Sequence, residues 1–230
     1  MDKVAFFLIT LIALQSCEKN NNPPTDINDL VNNENNIIKD IEGNVYDVVV
    51  IGNQTWMKQN LKTKYYNDST PIATGLTGIE YVEAEKGVYS VYDDDLNNEN
   101  VYGLLYNWYA IADPKKICPQ GWHVPTDEEW KELTDYLTDT SGKAGGKLKS
   151  LSLWEMPNIE ANNSSGFSAL PGGLRIDAGY SNINKQANFW TSTPNTSASS
   201  WFRFLRYDSD VVTRAPTISY YGASVRCIKD

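Results

Sequence analysis

Few residues in this chain have the types and spacing that chemistry needs. There are three cysteines, Cys17, Cys118 and Cys227, and a single histidine, His123. Cys17 closes the run Leu14-Gln15-Ser16-Cys17: an aliphatic residue, a spacer, a small residue and a thiol. That order resembles a bacterial lipobox, in which the thiol takes a diacylglyceryl group and a peptidase cuts after the small residue. Ahead of it, residues 4–14 are eleven positions without a charge, ~16 Å of helix against a hydrocarbon core of about 30 Å. The run is too short to span a membrane and suits a secretory signal. Residues 1–16 therefore read as a lipoprotein signal peptide and Cys17 as the lipidated residue, the competing reading being an ordinary signal peptide with an incidental cysteine.

An exported protein with an odd number of cysteines leaves one unpaired. Lipidation of Cys17 removes the odd one, and an oxidising envelope then favours a Cys118–Cys227 disulfide over two buried free thiols. Closing a loop that long is worth about 4.7 kcal/mol in the chain-entropy account.

The remaining candidates are weaker. His123 lies between Trp122 and Val124-Pro125, alternating into a strand ahead of a helix start, which reads as a structural histidine rather than a catalytic one. No serine sits in a G-x-S-x-G elbow. Asp93, Asp95 and Asn97 alternate as calcium ligands do, but Asn98 stands at the sixth position and Leu104 at the twelfth, where such a loop places Gly and Glu. A solvated turn is the better reading. One histidine and three cysteines leave little for a zinc site, so no metal, cofactor or catalytic set is expected and the chain reads as no enzyme. Of the seven tryptophans, Trp108, Trp122, Trp130 and Trp190 read as packing residues, and Trp154, beside Asn- and Ser-rich sequence, as the one most exposed.

What positions these residues is set by composition and pattern. Lys plus Arg number 20 against 29 for Asp plus Glu, a net charge of −9; an acidic chain without a basic run does not collect phosphates, so nucleic acid is excluded as an expected partner. Residues 17–36 contain eight asparagines and Pro23-Pro24 and cannot bury enough apolar surface to order. They read as a tether reaching about 24 Å. Residues 37–230 show no repeat and no second linker, and read as one domain. Residues 45–51 predict a strand ending at a Gly52-Asn53 turn, with residues 55–57 returning. Residues 101–112 carry no charge and predict a helix buried on all sides. Thr126 and Glu129 form a capping box for a helix whose inward stripe is Trp130, Leu133 and Leu137. Gly142, Gly145 and Gly146 break that helix and frame a short segment at 147–150. Short strands are expected at 167–170, 189–192, 201–207 and 223–229. Mixed helices and scattered strands give an α+β class.

Six stretches carry a family resemblance: 51–61 (IGNQTWMKQNL), 102–110 (YGLLYNWYA), 118–130 (CPQGWHVPTDEEW), 166–175 (GFSALPGGLR), 189–193 (FWTST) and 224–227 (SVRC). In this order they resemble the Fibrobacter succinogenes major paralogous domain, found mainly on exported bacterial proteins. The resemblance implies a C-type lectin-like fold: paired terminal strands, a twisted antiparallel sheet with two main helices, and long irregular loops that often carry ligand sites. The V-P-T-D-E-E-W segment also resembles formylglycine-generating-enzyme-type domains, but Cys118 and Cys227 match structural positions, so that activity is not carried over. The E-P-N or Q-P-D and W-N-D signatures of calcium-dependent lectins are absent. Signal, tether and resemblance together lead to the expectation of a lipid-anchored cell-envelope protein, at the outer membrane of a Gram-negative bacterium, that binds a glycan or protein ligand or mediates adhesion. The alternatives are a structural surface lipoprotein without a specific ligand and, less favoured, an enzyme on the same fold. Ligand contact is expected within residues 153–221, in the polar stretches 158–165 and 176–188, with Tyr180 as an aromatic face with a polar tip.

Two or three acyl chains hold a protein on a bilayer far longer than one. Cys17→Ser is therefore expected to leave the precursor unprocessed or to release it from the membrane pellet on fractionation; normal processing with full membrane retention refutes the assignment.

Overall fold

A computed structural model describes residues 37–138, 143–177 and 179–230. The expected signal peptide, the expected tether and Cys17 lie outside the described residues. The first described strand, β1 (Ile37–Lys39), pairs antiparallel with β2 (Val45–Ile51), and β2 turns at Gly52 into β3 (Gln54–Met57). β2 and β3 are where β-branched residues and the Gly-Asn turn predict a hairpin. Two further strands, β6 (Trp122–His123) and β12 (Ile228–Lys229), complete a five-stranded antiparallel sheet in the order β1-β2-β3-β12-β6. The terminal strands share this sheet, but β12 pairs with β3 and not with β1.

A second five-stranded sheet has the order β11-β10-β9-β7-β8, built from β7 (Gly172–Ile176), β8 (Gly179–Ile183), β9 (Gln186–Pro194), β10 (Ser199–Arg206) and β11 (Thr213–Ile218). Its pairings are antiparallel except for one parallel bridge from β7 to β9. β10 sits between two partners, as its two apolar faces predict. A small pair, β4 (Tyr89–Ser90) and β5 (Leu105–Tyr106), stands apart. Among the described residues the α-helices are α1 (Gly78–Val82), α2 (Leu96–Tyr102), α3 (Trp108–Ala112), α4 (Asp127–Leu137) and α5 (Gly145–Leu148). The class is α+β, but in place of one sheet with two main helices the described residues form two five-stranded sheets and the small β4–β5 pair, with one long helix and four short ones. None of the helices among the described residues is long and apolar enough to cross a membrane.

α4 forms where the sequence places it. Thr126 Oγ1 accepts from the Glu129 amide at 3.1 Å and the Glu129 carboxylate accepts from the Thr126 amide at 2.7 Å, a reciprocal cap worth about 1 kcal/mol. Trp130, Leu133 and Leu137 are buried against the sheets.

Residues 101–112 are not one helix. Gly103 adopts φ +73, and a Cβ there would lie 2.9 Å from the Leu61 carbonyl, so the chain leaves α2, makes β5 and re-enters a helix at α3. A short apolar run buried on all sides is equally a buried strand, and periodicity cannot separate the two. Gly145 and Gly146 do not break a helix but lie inside α5: a Cβ on Gly145 would meet the Asp210 carbonyl at 2.6 Å, and one on Gly146 would come closer still to the Glu160 carbonyl. Residues 167–170 make only an isolated bridge, Lys149 to Ala169, and the segment before β12 makes bridges at Gly222, Ala223 and Ser224 rather than one strand.

That last segment ties the parts together. Gly222 bonds Arg175 of β7, Ala223 bonds Tyr106 of β5, Ser224 bonds Asn188 and Trp190 of β9, Val225 accepts from Leu61, and Cys227 accepts from Met57 of β3. Cys227 is joined to Cys118 by the expected disulfide, both residues being buried. Between them Arg226 is fully buried. Its guanidinium donates to Asn60 Oδ1 at 2.9 Å, to the Ser168 carbonyl at 2.9 Å and, in a very short contact, to the Phe167 carbonyl. It lies 4.4 Å from the Phe167 ring centroid and 5.4 Å from that of Phe189. These rings continue into a cluster with Trp56 and Trp130 at centroid distances of 5.1–5.6 Å. Burial pushes the guanidinium down to about 9, so it remains charged at neutral pH.

Arg226→Met preserves the stem and removes every donor. Each of the three acceptors, if left buried and unpaired, costs about 1–3 kcal/mol. Urea unfolding is expected to show a loss of at least about 3 kcal/mol; a loss below about 1 kcal/mol contradicts the role given to this side chain.

Candidate functional site

The polar stretch at 176–188, expected to be an irregular loop, is largely the β7–β8 hairpin and the start of β9. Its pattern hides the strands because neither face is uniformly apolar. At the hairpin's end, Arg175 of β7 and Tyr180 of β8 meet Tyr81 of α1 and Asp94 of the 3-10 turn Tyr92–Asp94 around a cleft of about 310 Å³. Thr77 and Asp177 stand at its exposed rim.

Each wall has a structural origin. Arg175 is fixed by two backbone bonds to Gly222 at 2.8 and 2.9 Å, and a Cβ at position 222 would lie 3.0 Å from both the Tyr81 hydroxyl and Arg175 Cβ. The guanidinium carbon sits 3.6 Å above the Tyr81 ring centroid and 5.4 Å from that of Tyr180, and Nη2 donates to the Leu76 carbonyl at 2.5 Å. Gly173, at φ +67, lets the Tyr92 ring press on the hairpin: a Cβ there would lie 2.7 Å from it. Tyr92 in turn packs against Tyr180 in a tilted contact, ring centroids 5.2 Å apart. The Tyr180 hydroxyl donates to Asp94 Oδ1 at 2.6 Å; burial and then that carboxylate push it up to about 12, so it is a neutral donor at physiological pH. Tyr81 is 2% exposed and its hydroxyl has no hydrogen-bond partner among the described residues.

The sequence candidates are thus sorted by the fold. In the acidic run, Asp95 Oδ1 accepts from the Asn97 amide and side chain as the N-cap of α2, and no group of three or more His, Cys, Asp or Glu side chains placed to hold a metal occurs among the described residues. The run still contributes Asp94 to the cleft. Trp154 is not exposed. It is 8% exposed and its indole donates to the Ala169 carbonyl at 3.1 Å, because the 150–169 segment folds back over it. The stretch at 158–165 is irregular and packs on α5, the Asn162 amide donating to the Gly146 carbonyl. Sequence reasoning singled out Tyr180 but passed over Tyr81 and Arg175; the only signal for Arg175 was its place at the end of the G-F-S-A-L-P-G-G-L-R motif.

Other concavities are less equipped. One beside α4 has Glu128, Glu132 and Asp135 in its lining, all of one sign. An apolar cleft of about 290 Å³ lies beside the disulfide and includes His123. His123 Nδ1 is 2.6 Å from Asp230 and Nε2 is 2.8 Å from Glu129, so both ring nitrogens face carboxylates and neither faces a nucleophile. Burial alone lowers its pKa, but the two carboxylates more than offset this and the net shift is upward.

Residues 49–229 match the model of the Fibrobacter succinogenes major domain family, most of the chain, and the protein belongs to that family. No curated protein and no solved structure matches it.

A histidine raised above its ordinary 6.5 stabilises the fold fully below that value and loses the contribution as pH rises through the folded pKa. Wild type is therefore expected to exceed His123→Gln in stability by more at about pH 5.5 than at about pH 8.5. An equal difference at both pH values, read from urea midpoints, contradicts the paired imidazolium.

Proposed function

We propose that this member of the Fibrobacter succinogenes major domain family is a lipid-anchored cell-envelope protein that presents a C-type lectin-like domain for binding or adhesion, and that its ligand meets the cleft at the β7–β8 hairpin. The observation that carries the reading is the convergence of Arg175, Tyr180, Tyr81 and Asp94 from four separate elements onto one cleft. Charged and aromatic side chains held by rigid backbone, with donors and acceptors facing one volume, are what a binding site requires.

The lipobox-like Leu14-Gln15-Ser16-Cys17 junction supports the anchor, and the buried Cys118–Cys227 disulfide suits an oxidising compartment. Outer-membrane placement in a Gram-negative envelope is part of the same reading. An enzymatic alternative is disfavoured by His123, whose two nitrogens serve carboxylates of the fold. A binding role accords with the cleft, where the ionisable side chains pair with aromatic rings or hydroxyls rather than activating a nucleophile.

Binding of the purified full chain to isolated envelope fractions is the test. Tyr180→Ala removes the ring and the hydroxyl while leaving β8 paired through its backbone. It is expected to weaken saturable binding at least about tenfold, ~1.4 kcal/mol, with an unchanged circular dichroism spectrum. Undiminished binding by a folded variant places the contact elsewhere.

A further inference from the structure

We infer that the loop from Ser150 to Asn158 is a membrane-contact site, with Leu151, Leu153 and Met156 inserted shallowly into the bilayer that holds the acyl anchor. The inference rests on the lipid anchor of the proposed function and adds a second contact with the same bilayer.

All residues from 151 to 157 are exposed except Trp154. Three of them are large and apolar: Leu151 is 70% exposed, Leu153 44% and Met156 77%. Apolar side chains scattered singly over a surface need no explanation, but three on one short loop do. The loop is held firmly. The Asn158 side-chain amide donates to the Ser150 carbonyl at 3.2 Å and closes its ends. The Glu155 amide donates to the Asn184 carbonyl at 2.7 Å. The Trp154 indole, bonded to Ala169, plugs the middle of the loop into the core.

Position 153 supplies an independent observation. Leu153 has φ +71, the left-handed region that a leucine enters only at a cost. Among the described residues, the other non-glycine residues at positive φ are Ser, Asp, Asn, Glu and Lys, so Leu153 alone is apolar. Asn would suit that backbone better, and an exposed leucine adds little to the core. An apolar side chain held in a costly conformation and turned to water is explained by a contact outside the chain.

The surroundings select lipid over protein. Specific protein contacts centre on aromatic or arginine anchors; this loop exposes neither, its one aromatic residue being buried. Leu and Met enter a bilayer without needing a matching surface. The loop's one charged residue, Glu155, pairs with Lys185 at 3.4 Å, and Lys149 beside it is buried. With a chain charge of −9, attraction to anionic headgroups is not the driving force. The expected tether, residues 17–36, would hold the domain within about 24 Å of the lipid. Insertion then needs little affinity of its own, because the anchor sets a high local concentration.

Quenching by nitroxide-labelled acyl chains tests this. The purified full chain carries a fluorophore at Ser152→Cys or, as control, at Glu132→Cys on the exposed side of α4, and is mixed with excess phosphatidylcholine vesicles containing the nitroxide lipid. The label at 152 is expected to be blue-shifted and quenched, and that at 132 to be unaffected. Leu151→Ser combined with Met156→Ser is expected to bring the label at 152 to the control level. Leu153→Asn is expected to weaken the quenching while leaving the urea midpoint equal or higher. Neither added salt nor phosphatidylglycerol in the vesicles is expected to strengthen it. Equal quenching at 152 and 132 overturns the inference, as does quenching that needs phosphatidylglycerol and is lost in salt. So does an unquenched label at 152 when the double substitution still lowers capture of envelope material, which makes the patch a protein contact. Mass spectrometry of the wild type reads the anchor separately. A Cys17 that takes the label removes the anchor and leaves the loop to be judged by the quenching; an acylated Cys17 with no quenching at 152 removes the loop contact and keeps the anchor.

Discussion

The fold depends on a positive charge that water does not reach. Arg226 is fully buried, and among the described residues no carboxylate pairs with it. A charge in that position is tolerated only if its donors are used and its faces are covered. Asn60 and the Phe167 and Ser168 carbonyls use the donors, and Phe167 with Phe189 covers the faces. These acceptors come from widely separated parts of the chain, so one side chain fixes the loop after β3, the segment at 166–168 and the C-terminal strand relative to one another. The backbone on either side repeats the same work, bonding β3, β5, β7 and β9 in turn from Gly222 to Cys227. The disulfide then ties Cys227 back to the turn before β6.

Lys149 applies the same rule. Its ammonium is buried and donates to the Ile159, Arg206 and Ser209 carbonyls at 2.7, 3.1 and 2.9 Å. Burial pushes it down to about 8, so the charge is held at some cost. In return, an Asn- and Ser-rich stretch with few apolar residues of its own is pinned to the end of β10. Rigidity of this kind bears on the cleft. Arg175 is bonded to Gly222, the first residue of the C-terminal spine, so the cleft's cation is placed by the same segment that Arg226 anchors. Binding groups set by a core lose little freedom when a ligand arrives.

Local rules made part of this legible in the sequence. The β2–β3 hairpin follows from β-branched residues around Gly52-Asn53, and α4 from Thr126, Glu129 and the Trp130-Leu133-Leu137 stripe. The disulfide follows from the cysteine number together with the expectation of export. What escaped depends on contacts distant in sequence. Residues 101–112 are apolar on every side, which a buried strand explains as well as a helix; only the approach of Gly103 to Leu61 decides the break. Trp154 sits among polar residues and still goes inward, because Ala169 supplies its acceptor. Arg226, Lys149 and Arg175 look like surface charges in the sequence, since nothing local announces that carbonyls and rings from elsewhere will surround them. The cleft was half legible: Asp93–Asp95 and Tyr180 stood out separately, and their meeting required the hairpin and the Tyr92 turn to pack.

The segment from Gly222 to Cys227 is expected to be the last part of the fold to open. Native-state hydrogen exchange reads this residue by residue. The amides of Met57, Leu61, Trp190, Ala223 and Ser224 bond across that segment. They are expected to exchange only through global unfolding, with a common free energy equal to that from urea denaturation. Exchange of these amides at clearly lower free energies, with β10 and β11 still protected, would mean that the spine opens while the second sheet stands, and would contradict the account.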